Sequence, residues 1–196
     1  MRPEDFSRTL ADARTGSGVA LGILFRDLHP RMVRYLRAFA PEEAEDLASD
    51  CWLDVACALD TFDGDRRALR AMALTVARNR LMDDHPHLRP SVLASGDTLL
   101  FPFDEGTDWA VGNGADVPLV DVADHDGAEI ATDEALERVA ALPPEQADVI
   151  LLTILGELTV DEVAGTVGTR PGTVRQIQHR ALVRLFHGAA EETIRG

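Results

Sequence analysis

Over residues 19–39 the apolar side chains Leu21, Leu24, Phe25, Leu28, Met32, Tyr35, Leu36 and Phe39 recur at three- and four-residue steps. That is the spacing of one helix face. Pro30 falls inside the run and predicts a kink. Pro41 restarts the chain, and Leu47, Cys51, Val55, Ala58, Leu59 and Phe62 define a second helical face. Asp63-Gly64-Asp65 is turn chemistry. A third helix, from about Arg66 to Met82, gathers Leu69, Met72, Ala73, Val76 and Ala77 on its inner side. It ends before His85-Pro86, because proline disfavours helix in the residue that precedes it.

The period then lapses. Residues 88–132 carry five Gly, three Pro and repeated Asp, which predicts a linker that is largely disordered when free. Phe101, Phe103 and Trp109 are unusual in such a stretch and read equally as docking anchors or as residual apolar surface. Order resumes at Asp133. Leu136, Val139 and Ala140 line a short helix, and Pro144 opens the next, which carries Ala147, Ile150, Leu151, Ile154 and Leu155 and stops at Gly156.

Thr159-Val160-Asp161-Glu162 has the form of a capping box, in which a Thr hydroxyl and the Glu three residues on satisfy each other's backbone donors. A short helix that buries Val160, Val163, Ala164 and Val167 follows, then Gly168 as the turn and Pro171 near the start of a last helix. Short helix, tight turn, longer helix is the helix-turn-helix pattern. On the last helix, Val174, Ile177, Ala181 and Leu185 share one side, and Gly172, Thr173, Arg175, Gln176, His179 and Arg180 share the other. Arginine reads guanine or phosphate, glutamine reads adenine, and threonine meets methyl or phosphate. Thr173, Arg175, Gln176 and His179 are therefore expected near base edges, with Arg170 and Arg180 on the DNA backbone. The competing explanation is an ordinary amphipathic helix with a solvated polar face.

The pattern predicts an all-α protein of two small helical domains joined by a long acidic linker. An N-terminal extension covers 1–18, a helical bundle 19–87, the linker 88–132 and the helix-turn-helix unit 133–190. A net charge of −15 conflicts with nucleic-acid binding until its distribution is seen. Residues 91–134 hold eleven acids and no Arg, whereas the flanking parts are nearly balanced. All nineteen basic residues are Arg. Charge segregation of this kind predicts that the free linker folds back on the Arg faces and competes with DNA. Cys51 and Cys57, six apart, match no zinc or redox spacing and are expected to be small buried hydrophobes. Asp83, Asp84, His85 and His87 adjoin a proline in a loop with no further ligand or pocket in view, so neither a metal nor a cofactor is expected. No apolar stretch approaches the roughly 20 residues of a membrane span, and no apolar signal region follows the N-terminus. A cytoplasmic protein without membrane insertion is the expectation.

These motifs together resemble a known family. Leu142-Pro143-Pro144-Glu145-Gln146-Ala147, Leu158-Thr159-Val160-Asp161-Glu162-Val163-Ala164, Pro171-Gly172-Thr173-Val174-Arg175 and Gln178-His179-Arg180-Ala181-Leu182 resemble region 4 of bacterial extracytoplasmic-function sigma factors. Leu28-His29-Pro30-Arg31, Glu45-Asp46-Leu47, Phe62-Asp63-Gly64-Asp65 and Val76-Ala77-Arg78-Asn79-Arg80 resemble region 2. The resemblance implies a transcription-initiation subunit with no catalysis of its own. Its partners would be core RNA polymerase, through the largest-subunit clamp helices and the flap, together with promoter DNA and an anti-sigma protein. Region 4 would read the −35 element as duplex, and region 2 would capture an extruded base of the −10 element. Single-strand capture wants backbone-tracking cations and a base pocket. Phe62, Arg66, Arg67, Arg70, Asn79 and Arg80 are the candidates, with Arg78 as a further cation.

Glu42, Asp46, Asp50 and Asp54 form an i, i+4 row of like charges that destabilises an isolated helix. The row makes sense either against a basic partner or as a solvated acidic face. The resemblance assigns it to core polymerase, with Leu47 and Trp52 adding apolar contact. Met72, Ser49, the acidic Asp83-Asp84 and Arg170 depart from the family's pattern. The alternative is a sigma-like DNA-binding regulator that no longer initiates transcription.

Overall fold

The computed structural model describes residues 2–89 and 133–195. They form eight α-helices and one 3-10 turn, with no strand among the described residues. The predicted linker, with Phe101, Phe103 and Trp109, lies outside them apart from its first two residues.

Helix α1 (Pro3–Arg14) occupies the predicted N-terminal extension. Pro at its start and Glu4 and Asp5 in its first turn suit a helix N-terminus. Phe6, Leu10 and Ala13 are buried, so this segment contributes to the core. Helix α2 (Gly18–Arg37) runs through Pro30 and is capped by Ser17, whose hydroxyl accepts from the Ala20 N–H at 3.4 Å. Helix α3 spans Ala44–Ala58 and α4 spans Arg66–Asp84. The Asp65 carboxylate caps α4 by accepting from the Ala68 N–H at 2.8 Å. The four helices pack α1 on α2, and α2, α3 and α4 on one another. Leu24, Leu28, Met32, Leu36, Ala48, Cys51, Val55, Leu69, Ala73 and Ala77 close the space between them. The 3-10 turn Pro86–Leu88 ends this unit.

The second unit comprises α5 (Asp133–Ala140), α6 (Pro144–Gly156), α7 (Val160–Val167) and α8 (Pro171–Arg195). Helix α6 is its hub: Ala147, Val149, Leu151, Leu152 and Leu155 are all buried. Burial all round the helix fits its contacts, because α6 packs on α5, α7 and α8 and also on α4 and α2. One continuous set of buried side chains therefore runs from Phe6 to Ala181.

Helix α6 stops at Gly156, as expected, and the left-handed position that follows belongs to Glu157 at φ 57°. A Cβ at 156 would press on Leu158 Cδ1 and lie 3.2 Å from Leu74 Cδ1 on α4, so those leucine side chains would have to shift to admit it.

Candidate nucleic-acid interface

The helix-turn-helix is built by local chemistry. Glu162 Oε2 accepts from the Thr159 N–H at 2.7 Å, and the Glu162 N–H donates to Thr159 Oγ1 at 3.3 Å, completing the capping box. Gly168, at φ 77°, turns the chain left-handed after α7, and its N–H donates to the Ala164 carbonyl at 2.9 Å. Val163, Ala164 and Val167 are buried against α8, where Val174 and Ala181 are fully enclosed. Burying that stripe turns Arg175, Gln176, His179 and Arg180 outward, all exposed. Arg170 is exposed just ahead of the helix, and Thr173 is half-buried. The six residues expected at duplex DNA thus lie along the outer side of one helix start. A major groove about 12 Å wide admits such a helix.

The expected single-strand set is divided. Asn79 is exposed and Phe62 half-buried. The Phe62 carbonyl accepts from Arg14 of α1, which also donates from Nε to the Leu59 carbonyl at 2.9 Å. Helix α1 thereby fixes the turn that carries Phe62. Arg80 pairs with Asp50 at 3.0 Å and with Asp84 at 3.7 Å. Arg66, Arg67 and Arg70 face elsewhere. Arg66 and Arg70 grip the Asp27 carboxylate, at 2.9 and 2.8 Å. Arg70, 5% exposed, also pairs with Glu157. Arg67 donates to the Glu157 carbonyl at 2.9 Å and pairs with Glu162. Burial pushes the Asp27 carboxyl up, but the bonds from Arg70 and Arg66 outweigh it and bring it down to about 2.

Arg78 is buried outright. Its Nε donates to Asp148 Oδ2 at 2.9 Å, and Asp148 Oδ1 accepts from the Tyr35 hydroxyl at 2.8 Å. In this arrangement Arg70 and Arg78 are not presented to a nucleic acid, contrary to expectation. A sequence reading treats every arginine as surface. On α4, Arg70 and Arg78 sit on the sides against α2 and α6, where carboxylates await them.

On α3 the acidic positions Asp46, Asp50 and Asp54 are exposed, as is Glu42 just before the helix. Leu47, expected as an outward apolar contact, is 7% exposed and packs inward. Trp52 is half-buried, its ring edge-on to Phe25 at 5.3 Å. The outward apolar residue is Leu53, 62% exposed. It lies seven residues after Asp46 and so on the same face as the acids, which was the signal for it. Leu182, Val183 and Phe186 on α8 form another exposed apolar surface that the sequence reading missed. Cys51 is buried as expected, and its thiol is pushed up to about 11, chiefly by burial. Cys57, expected inside, is exposed.

Asp83, Asp84, His85 and His87 have other partners. Asp83 pairs with Arg89 at 2.9 Å, His85 lies 3.6 Å from Glu43, and the two imidazoles meet edge to face. Among the described residues no helix is long and apolar enough to cross a membrane.

Two family models match this chain: Sigma-70 region 2 over residues 24–89 and Sigma-70 region 4 over residues 139–187. Together they span more than half of the chain. The chain belongs to the extracytoplasmic-function sigma factors of the sigma-70 family. It is 28% identical over 192 residues to the ECF RNA polymerase sigma factor SigD of Mycobacterium tuberculosis, covering 94% of this chain and 84% of the relative. The ECF RNA polymerase sigma factor ShbA of Streptomyces griseus is 27% identical over 179 residues, 87% of each chain. The solved structure of CnrH in complex with the cytosolic domain of CnrY gives a TM-score of 0.56 at 19% identity, covering 95% of this chain and 97% of that one, a likeness of fold. Sigma region 2 here is the α2–α4 bundle, with α1 added against it, and sigma region 4 is the helix-turn-helix unit. The Asp148 and Glu157 carboxylates of region 4 meet Arg31, Arg70 and Arg78 of region 2 directly.

Proposed function

We propose that this sigma factor binds core RNA polymerase and directs promoter-specific initiation of transcription. The observation that carries the reading is the outward face of α8, where Arg175, Gln176, His179 and Arg180 stand exposed above a capped helix-turn-helix. Thr173, Arg175, Gln176 and His179 read base edges of the −35 element, and Arg170 and Arg180 hold its phosphates. Phe62, Asn79 and Arg80 act at the −10 element, while Arg66, Arg67 and Arg70, engaged by Asp27, Glu157 and Glu162 in this arrangement, would join them only once those partners let go. The exposed turn at Asp63–Asp65 and the exposed Asn79, further along α4, are the surfaces that support this assignment.

Glu42, Asp46, Asp50 and Asp54, with Trp52 and the exposed Leu53, meet the clamp helices of the polymerase. Leu47 supports that surface from within. The apolar Leu182, Val183 and Phe186 suit the flap. The protein acts in the cytoplasm, supplies recognition and leaves catalysis to the polymerase. An anti-sigma protein is a further partner of the same surfaces.

The test is reconstitution with core polymerase, followed by run-off transcription from a library of random promoters. Transcripts that depend on the factor, with enrichment of two spaced elements, are expected. Loss of one element in the Arg175→Ala and Gln176→Ala variants would assign it to α8. Duplex binding without transcripts would refute initiation and leave a DNA-binding regulator.

A further inference from the structure

Helix α3 has no cation in its own last turn, and residues 59–65 carry the chain from its end to α4. The C-terminal end of a helix holds partial negative charge and carbonyls without intrahelical partners. Arg14, in the last turn of α1, crosses to that end. Its Nε donates to the Leu59 carbonyl at 2.9 Å and its Nη2 to the Phe62 carbonyl. One planar guanidinium thus ties the end of α3 to the turn beyond it. The arginine stands on a firm base. Phe6, Leu10 and Ala13 bury the inner side of α1. Gly16, at φ 85°, closes the corner to α2, with its N–H on the Ala13 carbonyl at 2.9 Å and the Ser17 N–H on the Asp12 carbonyl at 3.1 Å.

The backbone that Arg14 grips sets the direction of the Phe62 ring. That ring lies over Gly64, where a Cβ would come 2.8 Å from Phe62 Cζ and 2.9 Å from Ala68 Cβ. At the far end of the turn the Asp65 carboxylate accepts from the Ala68 N–H. Asp63, Gly64 and Asp65 are exposed between the two anchors. The far anchor belongs to the turn itself, whereas the near one comes from 45 residues before Leu59. It also comes from outside the part matched by the region 2 model, which begins at residue 24.

We propose that Arg14 is a positioning residue for promoter recognition, which fixes the Phe62–Asp65 turn and so sets the base preference at the −10 element. The inference rests on the −10 assignment made above. An extruded base gives up its stacking, and a pocket repays that best when its surface is already in place. A turn released from Arg14 would receive the four bases more nearly alike. Helix α8 would read the −35 element as before.

Arg14→Met removes the donors and keeps an unbranched stem. Arg8→Met removes the same charge from an exposed position of the same helix and serves as the control. Hydrogen exchange on the full chain, followed by mass spectrometry, reads local opening of the segment 59–68. Exchange there should quicken about threefold or more in Arg14→Met, the scale of a net hydrogen bond, and match the parent in Arg8→Met. Each variant is then combined with core polymerase and given a promoter drawn from the random library, together with its single-base changes. Arg14→Met should narrow the preference at a −10 position by about threefold or more and leave every −35 preference unchanged. Phe62→Ala marks which −10 position the turn reads. A contact that only stabilised the fold would lower all transcripts in proportion and move no preference.

Unchanged exchange in Arg14→Met overturns the proposal. So does a −10 preference that Phe62→Ala narrows and Arg14→Met does not, or a narrowing of −10 and −35 preferences alike. If Phe62→Ala narrows nothing either, the −10 reading falls and the proposal falls with it, while the exchange rates still tell whether Arg14 holds the turn.

Discussion

Converting Asp148 to asparagine perturbs the deepest link between the two regions. Asp148 is 1% exposed, Arg78 7% and Tyr35 0%, so neither the carboxylate nor its two donors reaches solvent. The amide oxygen of Asp148→Asn still accepts from Tyr35, but its NH2 then faces the Arg78 guanidinium, donor against donor. A hydrogen bond to a charged group is worth about 1.5–3 kcal/mol, and a buried cation is left without its anion. Breaking a buried pair in this way costs about 3–5 kcal/mol. Arg78→Met should cost a similar amount, because it strips Asp148 of its cation and frees the Thr166 carbonyl that Arg78 reaches at 3.3 Å. Replacing both partners is different. With no charge left to strand, the double variant should be much less destabilised than the sum of the singles, with a coupling of about 2–3 kcal/mol. Urea unfolding of the four proteins, followed by circular dichroism, measures the cycle. Single-variant costs that add to within about 0.5 kcal/mol would mean that Arg78 and Asp148 do not sense each other, and would refute the reasoning.

Other outcomes follow from the same geometry. Arg175→Ala should weaken promoter binding by about 1–3 kcal/mol and relax the preference at one base, whereas Arg170→Ala should weaken all duplexes alike and lower the salt slope by about 1; binding titrations over a salt series separate the two. The Asp27 carboxyl is held at about 2 in the fold against its ordinary 3.8. Its contribution to stability is therefore complete above 3.8 and lost as the pH falls through about 2, and Asp27→Asn should remove that part of the acid-unfolding profile. Native protein should react with a thiol reagent at Cys57 and be slow at Cys51, where burial holds the thiol at about 11; both should react in urea, and equal native rates would contradict the packing of α3.

What the sequence determined alone was local. Helix periodicity, Thr159 as a cap, and the turns at Asp63–Asp65 and Gly168 act within a few residues, so α2 to α4 and α5 to α8 could be read before any packing was known. Helix α1 was legible by the same rule, since Phe6, Leu10 and Ala13 fall at steps of four and three, but three residues in a polar stretch make a weak stripe. The outward face of α8 followed because one buried stripe dictates its opposite.

Side-chain destinations on α4 and α3 did not follow. Arg66, Arg70 and Arg78 look like surface cations until Asp27, Glu157 and Asp148, between 39 and 87 residues away, arrive against them. Leu47 and Leu53 are equally apolar, and only the position of neighbouring helices buries one and exposes the other. Glu157 at a glycine's backbone position makes sense only once its arginine partners are in place. Periodicity assigns a residue to a face, but the partner of that face is a long-range fact, and in a chain rich in both arginine and acid the tertiary contacts choose which charges meet each other and which are left for DNA.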